Sequence, residues 1–175
     1  HAAVPAAPID GRLALAESEQ RLQLALRAGD MGLWDWDYAS GALVVNTRWK
    51  TMLGLPPDAP VTRIDDWAPH VHPDDQPLLD ALVRDVIENP AGGDFDVEIR
   101  ARHAQGHWIW LHDQGVVAER APDGRPLRVT GIHQDITERK QTERTLRAQR
   151  EQLHTVIDSA MDAIVTIDAA QRVVV

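Results

Sequence analysis

Cysteine is missing from all 175 residues, which rules out disulfides, thiolate metal sites and cysteine nucleophiles and leaves the redox compartment unreadable. No apolar run approaches the roughly 18 residues of a membrane span, so the segment reads as soluble and cytoplasmic. Positive charge is scarce: 18 Lys and Arg stand against 27 Asp and Glu, for a net charge of -9. A nucleic-acid surface needs the reverse, clustered basic residues, and no nucleic-acid partner is expected. Neither a phosphate-binding glycine loop, nor Gly-x-Ser-x-Gly, nor His-Glu-x-x-His occurs. With no nucleophile and base in recognisable relation, the segment is not read as an enzyme.

What is present is ordinary globular composition, 43% hydrophobic and 26% charged, in a length that accommodates one domain and part of another. The first residue is His, and Arg172-Val173-Val174-Val175 stops inside a strand-like pattern. An excerpt from a longer protein is therefore expected.

From Ile9 to Ala28 leucines recur among Glu, Gln and Arg, which predicts an amphipathic helix, with Gly32 after Asp30 as its stop. Leu33 to Tyr38 alternates aromatics with acids, Ser40-Gly41 turns, and Leu43-Val44-Val45 returns, a hairpin. Asn46 and Thr47 are placed to cap a short helix carrying Trp49, Met52 and Leu53. Pro73 suits a first helical position with Asp74 and Asp75 in its first turn, and Leu78, Leu79, Leu82, Val83, Val86 and Ile87 form one stripe down the helix that follows. Asn89-Pro90 ends it.

Three strands come next. Phe95, Val97, Ile99 and Ala101 alternate with charged residues, His107 to Glu119 follows a Gln105-Gly106 turn, and Pro126 to Thr137 follows Pro122-Asp123-Gly124. The middle strand carries bulk on both faces, Trp108, Trp110 and His112 on one and Ile109 and Leu111 on the other, so it needs a second layer outside. The N-terminal Leu-rich helix is expected to supply it. Beyond Thr137 the run to Gln152 is nearly all Glu, Arg, Lys and Gln, with Leu146 and Leu153 a heptad apart beside a row of Thr142, Gln149 and Val156, a thin coiled-coil seam. Ile164 to Asp168 and Arg172 to Val175 read as a second hairpin, weakly echoing Leu33 to Val45.

Two constellations invite a chemical reading. His70, His72, Asp74 and Asp75 combine imidazole with carboxylate as metal sites do, but a helix start accounts for Pro73, Asp74 and Asp75, and two histidines alone fall short of a ligand set. No metal is assigned. The six tryptophans suit stacking on a flat cofactor, yet large aromatics serve a core equally well.

The strings LAESEQRLQLALRAGDMGLWDWD (15–37), HVHPDD (70–75), GHWIWL (106–111) and GIHQDITERK (131–140) together resemble the PAS domain with its C-terminal PAC motif, over about residues 16 to 142. The resemblance implies an α+β fold: a five-stranded antiparallel sheet, small helices on one face enclosing a cavity, an N-terminal flanking helix and a C-terminal coiled-coil output helix. It divides the chain into a flanking helix (1–28), a sensor domain (29–138), a signalling helix (139–158) and the truncated start of a second PAS domain (159–175).

It further implies a bacterial signalling module that relays a ligand- or partner-induced change to a downstream output domain, a histidine kinase or, alternatively, a diguanylate cyclase. The rival is a ligand-free dimerisation module. His133 faces the expected cavity if Ile132 and Gln134 face outward, in the place where flavin-binding relatives carry a ligand-contacting polar residue. Phe95, Val97, Ile109 and Leu111 share its face as apolar wall. Asp135, Ile136 and Thr137 occupy the coupling element, and paired helices carrying Leu146 and Leu153 imply a homodimer. The absent cysteine excludes the flavin photoadduct, and the absence of His from Leu78 to Glu88 argues against haem. The cofactor, and whether a small-molecule ligand is bound at all, stay open.

Overall fold

A computed structural model describes the backbone of residues 9–165 and the side chains of residues 13–159. The chain divides after Ile136 into two units. In the first, helix α1 (Ile9–Ala28) precedes strands β1 (Gly32–Asp37) and β2 (Leu43–Val45), short helices α2 (Thr47–Met52) and α3 (Ile64–Trp67), helix α4 (Gln76–Leu82), and strands β3 (Asp94–Arg102), β4 (Trp108–Arg120) and β5 (Pro126–Asp135). The strands form one antiparallel sheet in the order β2-β1-β5-β4-β3, so the first hairpin docks on the last strand. Alternation decides which face is core: Ile99, Ala101, Ile109, Leu111 and Val129 are buried on the inner face, where Trp49, Met52, Trp67, Leu82 and Ile87 of the helices cover them.

Local chemistry explains the connections. Asn46 caps α2 by accepting the Trp49 N–H at 2.8 Å. Helix α1 stops at Asp30, whose φ of 52° reverses the chain while the Met31 N–H returns to Leu26 O at 2.9 Å. The expected stop, Gly32, is instead the first residue of β1. A Cβ there would lie 2.8 Å from the Trp49 Cα, so glycine is what lets α2 press onto the strand.

One further expectation is corrected. The leucine helix does not roof the outer face of the sheet: Leu13, Leu15, Leu22 and Leu24 are 53–68% exposed, and only Leu26 is buried. Charged side chains cover that face instead, with the Arg100 and Arg102 guanidinium carbons 5.4 and 5.6 Å from the Trp110 and Trp108 rings. Pro73 opens the helical run as expected, in a 3₁₀ turn (Pro73–Asp75) that passes directly into α4, and Asp75 also grips Arg100 at 2.7 Å.

Helix α4 widens at its end into a π-turn, Val83–Ile87, closed by a Glu88 N–H to Val83 O bond of 2.8 Å. Arg120 fixes this turn by donating to Val86 O, Ile87 O, Gly92 O and Gly124 O at 2.9–3.3 Å.

The second unit contains helix α5 (Thr137–Val165), which starts two residues after β5 ends. Ile164 and Val165 are its last residues rather than the opening of a strand, and the rest of the expected second hairpin lies outside the described residues. Leu146, Leu153, Val156 and Ile157 are 53–62% exposed along it. Among the described residues no helix is long and apolar enough to cross a membrane.

Candidate functional site

The site is built by strand register. Gly32, His133, Asp113 and Val97 align across β1, β5, β4 and β3 in one row, and Trp34, Gly131, Gly115 and Phe95 align in the next inward-facing row. Glycine in the middle of that second row makes the floor. Added Cβ atoms at Gly131 and Gly115 would lie 2.4 and 2.9 Å from the Trp34 ring, so the indole rests on bare backbone, with Phe95 stacked at 6.1 Å and 20°. Trp49 and Trp67 from α2 and α3 meet edge to face at 5.2 Å as the opposite wall.

Between floor and wall lies a cavity of about 180 Å³. Trp34, Trp36, Trp49, Trp67 and Phe95 line it, together with Gln76, Leu79, Asp80, Leu82, Val83 and Ile87 of α4 and its π-turn, and Asp113 and His133.

Its polar centre is a buried pair. His133 Nε2 lies 3.1 Å from Asp113 Oδ1, with side-chain exposures of 4% and 10%. The Trp34 indole N–H donates to the same oxygen at 3.2 Å. Asp113 Oδ2 takes no hydrogen bond among the described residues. Three indoles enclose the imidazole, with Trp34, Trp49 and Trp67 centroids 5.3–6.0 Å from it. His133 Nδ1, Trp36 Nε1 and Trp49 Nε1 are buried without a hydrogen-bond partner. The Asp113 contact holds the orientation of the imidazole.

Of the five pocket residues named from sequence, His133 and Phe95 line the cavity. Ile109 and Leu111 are buried in the adjoining core, and Val97 packs against it. His70, stacked on Trp67, and His72, which accepts the Asp74 N–H, stand apart from the cavity lining. Sequence reasoning passed over Asp113. The signal was there: Ile109 and Leu111 mark the inward positions of β4, so Asp113, two further on, breaks an apolar series where a charge has to be explained. At the exit of β5, the Ile136 side chain is buried and its N–H donates to Trp110 O at 2.9 Å, so pairing with β4 extends past Asp135. Asp135 lies close enough to His103 to favour its protonation, although burial and the neighbouring His107 together hold the His103 pKa below the usual imidazole value.

The family model of the PAS fold matches residues 42–133, just over half of the chain and most of the sheet with its cavity. The chain belongs to the PAS-fold family. The chain is 29% identical over 162 residues to Sensor protein FixL of Bradyrhizobium diazoefficiens, a match covering 92% of this chain and 30% of that protein. It is 27% identical over 155 residues to the protein named Probable diguanylate cyclase DgcE of Escherichia coli, covering 88% and 14% respectively. The chain therefore spans less than a third of either relative. The solved structure of a sensory box histidine kinase/response regulator from Burkholderia thailandensis superposes with a TM-score of 0.66 at 32% identity, covering 77% of this chain and 98% of that one. This PAS domain is thus related both to sensor kinases and to a cyclase.

Proposed function

We propose that the chain is a sensory module that admits a small molecule to the cavity and relays its presence through β5 into α5, to a downstream output domain and most plainly to a histidine kinase. The observation that carries this reading is the position of His133: it faces the cavity, is held by Asp113, and stands two residues before Asp135 on the strand whose chain continues into α5. A ligand that moves the imidazole acts on a strand pinned again at Ile136, so Asp135, Ile136 and Thr137 transmit the change as a population shift. The exposed rows at Leu146, Leu153 and Val156 support pairing of two α5 helices as a homodimer. A sparse seam suits a switch, because couplings of about 1–3 kcal/mol must be enough to shift it.

A cysteine-free chain with no histidine from Gln76 to Ile87 offers a flavin no thiol and a haem no axial imidazole from that wall. The cavity also falls below the roughly 300–1,000 Å³ of drug-sized sites. The reading is therefore of a small ligand. Native mass spectrometry of the chain, purified without denaturation and offered a library of small metabolites, is expected to show a one-to-one adduct. Hydrogen exchange on that complex should change in β5 and the first turns of α5, and Asp135→Ala should keep the adduct while losing the change in α5. A bare mass throughout, with α5 exchange unmoved, leaves the ligand-free dimerisation module in possession.

A further inference from the structure

The groups that line the cavity are weighted towards acceptors and negative charge. Its walls are ring faces, which carry the negative end of the aromatic quadrupole. Its charged side chains, His133 apart, are Asp80 and Asp113, with no Lys or Arg. Of the Asp113 oxygens, Oδ1 takes both the Trp34 N–H and the His133 contact, which leaves Oδ2 to accept. Gln76 donates one of its two amide N–H groups to Ala68 O at 3.0 Å, and its carbonyl oxygen is an acceptor in the lining. Asp80, exposed on α4, adds negative charge to the lining. The donors that lack partners, Trp36 Nε1 and Trp49 Nε1, are fully buried and so lie out of a ligand's reach.

A ligand that satisfies this lining brings donors and positive charge and presents them to ring faces and carboxylate oxygens. Size narrows it further. A cavity of about 150 Å³ accommodates benzene, so about 180 Å³ takes one ring, or an aliphatic group of that bulk, with a short substituent. Resting on the sensory reading above, we infer that the ligand is a small organic monocation, an amine on a ring-sized apolar body, seated among Trp34, Trp49, Trp67 and Phe95 with its ammonium on Asp113 Oδ2. Cation–π attraction and the carboxylate then act on the same charge.

The test is a set of three ligands of one shape and different charge: phenethylamine, phenethyl alcohol and phenylacetate, titrated into the folded chain by calorimetry and by tryptophan fluorescence. Phenethylamine is expected to bind saturably, the alcohol about tenfold more weakly or worse, and the acid not at all. Asp113→Asn should weaken the amine by about tenfold and leave the alcohol nearly unchanged. Because Asp113 also supports the core, the exposed Asp80→Asn is the companion variant. It should weaken the amine about threefold through lost long-range attraction, with near-ultraviolet circular dichroism unaltered.

An alcohol that binds as tightly as the amine, or an acid that binds best, overturns the cationic assignment while leaving a sensory pocket in place. Failure of all three to bind a folded chain overturns it too. The library adduct experiment then separates the cases: an adduct of another chemistry preserves the sensory reading, and none removes both.

Discussion

Residues 112 and 113 are neighbours in the chain, and each is half of a histidine–aspartate pair on an opposite face of β4. Outside, His112 Nε2 meets Asp96 Oδ1 at 2.5 Å with side chains 23% and 60% exposed. Inside, Asp113 meets His133 at 3.1 Å with 10% and 4% exposed. The shorter contact is the more exposed one. Water and salt screen the outer pair, and Asp96 has Gln114 at 2.7 Å as a second partner. The inner pair was desolvated on folding, so whatever it gains must come from its own geometry and from the Trp34 N–H. Distance alone therefore does not rank the two; burial sets what it costs to remove one partner.

Asp113→Ala is the largest test of that ranking. Removing one member of a buried pair strands the other, and here it strands the Trp34 N–H as well, for an expected loss of about 3–5 kcal/mol. Urea unfolding at neutral pH measures it. A loss under about 1 kcal/mol would put the inner pair in the same class as a surface ion pair and end the comparison.

The two faces were also unequally legible. Period-two alternation assigned Ile99, Ala101, Ile109 and Leu111 inward, and the structure buries all four. The same rule applied to β5 turned His133 inward, where it is 3% exposed. The cavity itself was not legible, because it depends on non-local register: Gly115 and Gly131, far apart in sequence, align in one row and leave room for Trp34 and Phe95. Only pairing of β4 with β5 makes that row.

The outer face misled for a related reason. Trp108 and Trp110 announce bulk that needs cover, but nothing local says that Arg100 and Arg102, directly opposite on β3, will stack on them. The amphipathic α1 then looked like the missing layer. The helix start at Pro73 was legible, but nothing local says that Asp75 will also reach an arginine 25 residues on and make charge-assisted bonds to it.

The Asp75–Arg100 pair is partly buried, with side chains 14% and 25% exposed, and should fall between the two histidine–aspartate pairs in the cost of its removal. Asp75→Asn is expected to cost about 2 kcal/mol at neutral pH, since three hydrogen bonds from Arg100 end on the carboxylate. The pH dependence fixes the mechanism. The Arg100 side chain holds the Asp75 carboxyl below the usual carboxylate value against the opposing effect of burial. A group depressed in this way stabilises the fold fully above its unfolded value of about 3.9, and the contribution is lost as pH falls through the lower folded value. The gap between wild type and variant should therefore be full at pH 7 and narrow under acid. A gap that instead widens on acidification excludes the ionised carboxylate as the source.

The smallest effect belongs to His112→Gln. Asp96 is held below the ordinary carboxylate range first by His112 and then by Gln114, so removing the imidazole leaves the second hold in place, and water replaces the first. The thermal midpoint should not move beyond scatter, and any difference at low salt should vanish at high salt, because exposed charges are screened over a Debye length of about 10 Å at 0.1 M. Amine binding should be untouched as well, since the side chain points away from the cavity. If His112→Gln destabilises as much as Asp113→Ala, then burial is not what separates the faces of β4. The histidine–aspartate contact itself, in whatever setting, would be the quantity that matters.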